Sequence, residues 1–184
     1  MPLIDQSVTW QKPEARLAEE TDPVLRRNLE LLIEHMKAEA SLDMDRLMAT
    51  VSEKARYESF TGQPGNMGLL VGKAAVRKFY EDFAASGAYK LQLEIDRLIV
   101  DRRCILTEGM MRMAYPGRIV EARGKKVADP NAYYLYECRI AIVWTIGDDG
   151  LFIGEDSYSD RDGFEGIENR PIDSSEIVVW TKAA

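Results

Sequence analysis

Glu155 is the carboxylate best placed to do chemistry. It lies in the strand-like stretch Leu151-Phe152-Ile153-Gly154-Glu155-Asp156-Ser157. Alternation puts Glu155 on one face with Leu151, Ile153 and Ser157. If that face turns inward, the carboxyl sits in an apolar cavity, its pKa rises, and it can take and give protons near neutral pH. The plain alternative is a solvent-facing residue at a sheet edge. His35, the chain's one histidine, lies at the edge of a helical apolar face. An imidazole there could donate a hydrogen bond or shuttle a proton, because it titrates near neutrality. The alternative is a half-exposed helix residue. Tyr80 lies on the buried face of another helical stretch, where the plain reading is a core aromatic whose hydroxyl finds a backbone partner. Tyr57 and Ser59 share one strand face and are candidates to line the same pocket. Ser157 is a further candidate there. Met111, Met113 and Trp144 would add adaptable apolar walls, or serve as core. Glu108 and Arg112 share a strand face and would pair across the pocket or, in the preferred reading, across an interface between two copies.

Other chemistries lack their residues. Gly62, Gly65 and Gly68 are spaced by three, without the preceding strand and the lysine of a phosphate loop. They read as a mobile rim to the pocket. There is no Gly-x-Ser-x-Gly elbow. Cys104 and Cys138 lie in apolar runs at no zinc spacing, so free buried thiols are expected ahead of a disulfide. No metal and no cofactor are expected. The formal net charge of -7 argues against nucleic acid. No apolar stretch approaches the ~20 residues of a membrane helix. Met1-Pro2-Leu3-Ile4-Asp5 carries no basic segment leading into an apolar run, so a signal peptide is not expected and a cytoplasmic location is.

The elements that must position these residues follow from periodicity. The 184 residues fit one domain, and 46% hydrophobic composition supports a core. Residues 1–12 read as a loose arm, followed by a short helix from Pro13 to Glu20. Asp22-Pro23 starts a helix running to about Ala40, with Leu25, Leu29, Leu32, Ile33, Met36 and Ala40 on its apolar face. A second helix starts near Asp43. Ala55 to Phe60 reads as a short strand and Thr61 to Leu70 as a loop. A helix runs from Gly72 to just before Gly87. Strands follow at Leu91 to Val100, Cys104 to Tyr115, Tyr133 to Ile146 and Leu151 to Asp160. Pro116 to Asn131 is a polar connection. Ile177-Val178-Val179-Trp180 would add an edge strand or cover a partner. The division is an arm over residues 1–20, a domain over 21–165 and a C-terminal extension over 166–184. Helices first and strands after make an α+β pattern, with an antiparallel sheet packed on helices.

Three segments carry a family resemblance: Leu42-Asp43-Met44-Asp45, the run from Gly72 to Tyr80, and Asp149-Gly150-Leu151-Phe152-Ile153 leading to Tyr158-Ser159-Asp160. In their order the chain resembles the nuclear transport factor 2-like superfamily, within it the SnoaL-like polyketide cyclase and ketosteroid isomerase-like group, over roughly residues 24–160. The resemblance implies a cone: three N-terminal helices and a curved antiparallel sheet around a pocket. It also implies a homodimer pairing through the outer sheet face. By the same resemblance, His35 falls about where ketosteroid isomerases carry an enolate-stabilising tyrosine, and Tyr80 where a tyrosine bonds the catalytic group. The general base of such isomerases would fall at Ser59, and that of epoxide hydrolases of this fold at Ser157. Both carboxylates are absent here, and a register slip would bring Glu58 or Asp156 inward instead. The expectation is a cofactor-free acid–base isomerase, cyclase or dehydratase acting on an apolar ring compound. Glu155, His35 and Tyr80 would be catalytic. The alternative is a non-catalytic binder of an apolar ligand.

Overall fold

A computed structural model describes residues 2–60 and 68–181. The chain begins with β1 (Ile4–Asp5) and α1 (Val8–Glu19), so the expected loose arm is instead ordered. Its anchor is Gln6, a fully buried amide. Gln6 Nε2 donates to the Tyr89 carbonyl at 2.9 Å, and its Oε1 accepts from Trp180 N at 2.9 Å. A buried amide satisfied at both ends holds its surroundings in place. The helix α2 (Pro23–Ala40) starts where expected, with the Asp22 side chain accepting from Val24 N. After it come α3 (Met44–Ala49), β2 (Val51–Ser59), β3 (Leu69–Val71) and α4 (Lys73–Ser86). The C-terminal end of α4 is closed by Gly87 at φ 81°, a conformation that favours glycine.

Four long strands follow: β4 (Leu91–Val100), β5 (Cys104–Pro116), β6 (Tyr133–Ile146) and β7 (Phe152–Ser159). A short helix, α5 (Gly117–Ala122), forms within the expected polar connection. The tail adds β8 (Pro171–Ile172), beside β6, and β9 (Ile177–Val178), which runs parallel to β1. The two ends of the chain thus close on each other, and Trp180 packs edge-on against Trp10 at 5.2 Å.

The main sheet has the order β3-β2-β7-β6-β5-β4, with β8 beside β6. It is antiparallel at each junction but one, since β2 runs parallel to β7. Helices and curved sheet form the expected α+β cone. The inner face of the sheet packs on α2 through Leu32, Ile33, Met36, Ile105, Ile142 and Phe152. A second core gathers α3, α4 and β2 around Leu47, Val76 and Tyr57. A third lies at the far end of β6, around Tyr134, Tyr136 and Phe164. Among the described residues no helix is long and apolar enough to cross a membrane.

Candidate functional site

Between the second and third cores lies a cavity of about 380 Å³, within the usual range of small-molecule sites. One wall is α4, through Phe79, Tyr80 and Phe83. The floor is the inner sheet face, with Met111 and Met113 from β5, Ile140 and Ile142 from β6, and Glu155 and Ser157 from β7. Ser59 enters from β2 and Glu39 from α2. Tyr115, Tyr136, Phe164 and Arg123 line the same cavity. Arg123 lies over the Phe164 ring, 3.9 Å from its centroid. The expected glycine rim is mostly out of view, because Gly62 and Gly65 lie outside the described residues.

Glu155 faces inward through a β-bulge. Across the β6–β7 pair, Thr145 faces Gly154 and Ile146 faces Phe152, which leaves Ile153 as the extra residue. A bulge resets which residues share a face. Before it Phe152 points into the core, fully buried. After it Glu155 and Ser157 point into the cavity. The expectation that Leu151 and Ile153 share the face of Glu155 is therefore corrected. The register Tyr57↔Glu155 and Ser59↔Ser157 also settles the slip. Glu58 and Asp156 turn outward, where Arg56 pairs with both.

Behind Glu155 runs a line of polar contacts. Tyr80 Oη lies 3.2 Å from Glu155 Oε2 and 3.2 Å from His35 Nε2. His35 Nδ1 lies 2.6 Å from Thr50 Oγ1. His35 is 0% exposed, not half-exposed at a helix edge. It sits behind the cavity wall among the rings of Tyr80, Trp144 and Phe152. Tyr57 is fully buried beside this line, and its hydroxyl has no hydrogen-bond partner among the described residues. Trp144 does not line the cavity. It packs in the main core and donates Nε1–H to Thr107 Oγ1 at 3.0 Å.

Burial sets the proton affinities. Removal from water pushes Glu155 up to about 8, and the charge of Glu39 adds to the rise, while the Tyr80 hydrogen bond opposes it. Burial lifts Glu39 to about 7 and depresses His35 to about 3. Tyr57 and Tyr80 are pushed well above the phenol range by burial first, then by the Glu155 and Glu39 charges. Two carboxyl groups that repel each other thus share an apolar cavity, and one holds a proton at neutral pH.

Glu39 and Thr50 escape a reading of the sequence for apolar faces. Glu39 lies four residues after His35 on α2, so both follow one helical stripe beside the core face. That spacing was the available signal. Glu108 and Arg112 face away from the cavity and do not pair with each other. Arg112 pairs with Glu94 and Glu137, and Glu108 with Arg97 and Arg139. Cys104 and Cys138 are free thiols.

The family described as SnoaL-like domain matches residues 32–153. No curated protein matches the chain. Among solved structures, a SnoaL-like protein from Shewanella putrefaciens CN-32 is similar with a TM-score of 0.61 and 13% identity, over 80% of this chain and 86% of that one. TerC, co-crystallised with polyporic acid, gives 0.57 and 13% over 78% and 97%. An LEH-like epoxide hydrolase from M. tuberculosis gives 0.56 and 16% over 78% and 91%. At these identities the likeness concerns the fold.

Proposed function

The chain belongs to the SnoaL-like domain family, and from that premise we propose that its cavity binds an apolar ring compound and moves a proton on it, as a cofactor-free isomerase, cyclase or dehydratase. The observation that carries this reading is Glu155: a carboxyl group lifted to about 8, open to an apolar cavity and held on one oxygen by Tyr80. A substrate carbonyl or hydroxyl would accept the proton of the protonated carboxyl. The ionised carboxyl would remove one from carbon. Glu39, facing the same space, supplies the second proton-transfer group, so that one carboxyl gives while the other takes. Tyr80 orients Glu155. His35 and Tyr57 act from behind the wall rather than as donors to the substrate. Met111 and Met113 provide a wall that adapts to shape.

We also propose a cytoplasmic homodimer. Its free thiols suit a reducing compartment. The outer sheet face carries the stacked pair Phe60 and Tyr158, both exposed, on which a second copy would sit.

The test is deuterium exchange from D2O into ring ketones that the protein binds. Wild type is expected to catalyse exchange at the carbon next to the carbonyl, and Glu155→Gln to slow it by about 10²–10⁴-fold while keeping ligand affinity. Equal exchange in Glu155→Gln removes Glu155 from the mechanism. A binder without catalysis is the second reading. It is favoured by Ser59 and Ser157, hydroxyls that line the cavity where the resemblance places carboxylates. It expects no exchange in wild type.

A further inference from the structure

The contacts behind Glu155 hold a countable number of protons. Thr50 Oγ1 lies 2.6 Å from the Leu47 carbonyl oxygen, which can only accept, so the hydroxyl's single proton goes there. Oγ1 must then accept from its other neighbour, and His35 Nδ1 carries a hydrogen. Burial keeps the ring neutral, so Nε2 is left with a lone pair. Tyr80 must give its one proton to Nε2. Its oxygen then has only acceptor capacity left for Glu155, which must meet it as a carboxylic acid.

Ionised Glu155 reverses each step. The carboxylate takes the Tyr80 proton, and Nε2 must donate to Tyr80. Nδ1 becomes bare, and the Thr50 hydroxyl turns from Leu47 to Nδ1. The Leu47 carbonyl keeps a partner, because Thr50 N–H also donates to it, at 3.1 Å. Both directions leave the line paired from end to end. An ionised carboxyl beside the Nδ1–H ring sets lone pair against lone pair at Tyr80, and an acid with its proton on Oε2 beside the Nε2–H ring sets proton against proton there.

We propose that His35 is a positioning residue whose ring tautomer is locked to the charge of Glu155: Nδ1–H when the carboxyl is protonated, Nε2–H when it is ionised. In passing from the second state to the first, Glu155 gains one proton and one ring proton changes nitrogen; every other group keeps its proton count. The consequence for the cavity is a carboxyl oxygen held in place by Tyr80 in either charge state. The titratable groups facing Glu155 are Glu39 from α2, Tyr57 from β2 and Tyr80 from α4, and the charge of Asp156 reaches it from the outer face of its own strand. His35 faces Thr50, Tyr80, Trp144 and Phe152. The coupling follows from geometry. Its use in turnover rests on the proposed role of Glu155.

One histidine in the chain makes the test direct. Nitrogen-15 spectra of the ring and carbon-13 spectra of the Glu155 carboxyl are followed through the same pH series. Nδ1–H is expected below the carboxyl titration and Nε2–H above it, with one shared midpoint and a neutral ring throughout. Glu155→Gln donates an amide hydrogen to Tyr80 and is expected to hold Nδ1–H at every pH. Thr50→Val removes the acceptor for Nδ1–H and is expected to lower the Glu155 midpoint, whereas Thr50→Ser restores it. One tautomer on both sides of the Glu155 titration, or a tautomer change that persists in Glu155→Gln, overturns the proposal. Coupling seen together with unchanged deuterium exchange in Glu155→Gln supports the lock and ends the catalytic reading. Exchange lost in Glu155→Gln without coupling does the reverse.

Discussion

Tyr57 keeps a hydroxyl in the interior with nothing among the described residues to bond. Its neighbours, Glu155 and Glu39, raise its proton affinity further. An unmet buried donor costs about 1–3 kcal/mol. Tyr57→Phe is therefore expected to raise the unfolding free energy by about 1 kcal/mol in urea titrations. A loss of that size would mean that the hydroxyl is paired. Residues of this kind mark the limit of a sequence reading. Strand alternation puts Glu155 on one face with Ser157 and Tyr57 on one face with Ser59, and helical spacing places Tyr80 inward. Nothing local tells that His35 is wholly buried, because Thr50, Trp144 and Phe152 reach it from distant segments. Glu39 is hidden for the same reason: what desolvates it is the cavity, which belongs to several elements at once.

Elements rather than residues decide which side chains face inward. The bulge at Ile153 puts Phe152 and Glu155 on one side of β7, although an odd offset separates them. A strict period of two reaches Glu155 correctly and its apolar companions wrongly. The strands β4 and β6 are legible to their ends, since long alternation and the Asp101-Arg102-Arg103 and Gly147-Asp148-Asp149-Gly150 turns bound them. The start of β2 and the pairing of β1 with β9 are not, because the partners lie far along the chain. Gly109 is an element-scale requirement of another kind. A Cβ there would stand 2.0 Å from the Glu94 carbonyl oxygen on β4, beside the irregularity between Ile95 and Arg97. Backbone cannot yield as a flexible side chain does. Gly109→Ala is expected to destabilise the protein by about 1–3 kcal/mol through forced backbone displacement. Thermal melting checks this, and an unchanged midpoint would mean that β4 and β5 approach less closely than described.

For the molecule as a whole, the buried site couples folding to pH. Glu155 has a folded pKa of about 8 against an ordinary value of 4.5. Between those values the folded state holds a proton that the unfolded state has lost, so this group's contribution to stability falls as pH rises. Glu39 acts in the same direction up to about 7. His35 acts oppositely: its folded pKa of about 3 lies below 6.5, so its contribution is present above 6.5 and lost as pH falls toward 3. The decisive measurement is the difference in unfolding free energy between Glu155→Gln and wild type, by urea titration from pH 5 to pH 9, since His35 is common to both proteins. Each tenfold in proton affinity corresponds to about 1.4 kcal/mol. The variant is expected to gain on wild type by about 2–4 kcal/mol as pH rises to about 8, and to stay level beyond. A difference that does not change with pH would show Glu155 titrating as an ordinary carboxylate, and would contradict a desolvated acid in an apolar cavity.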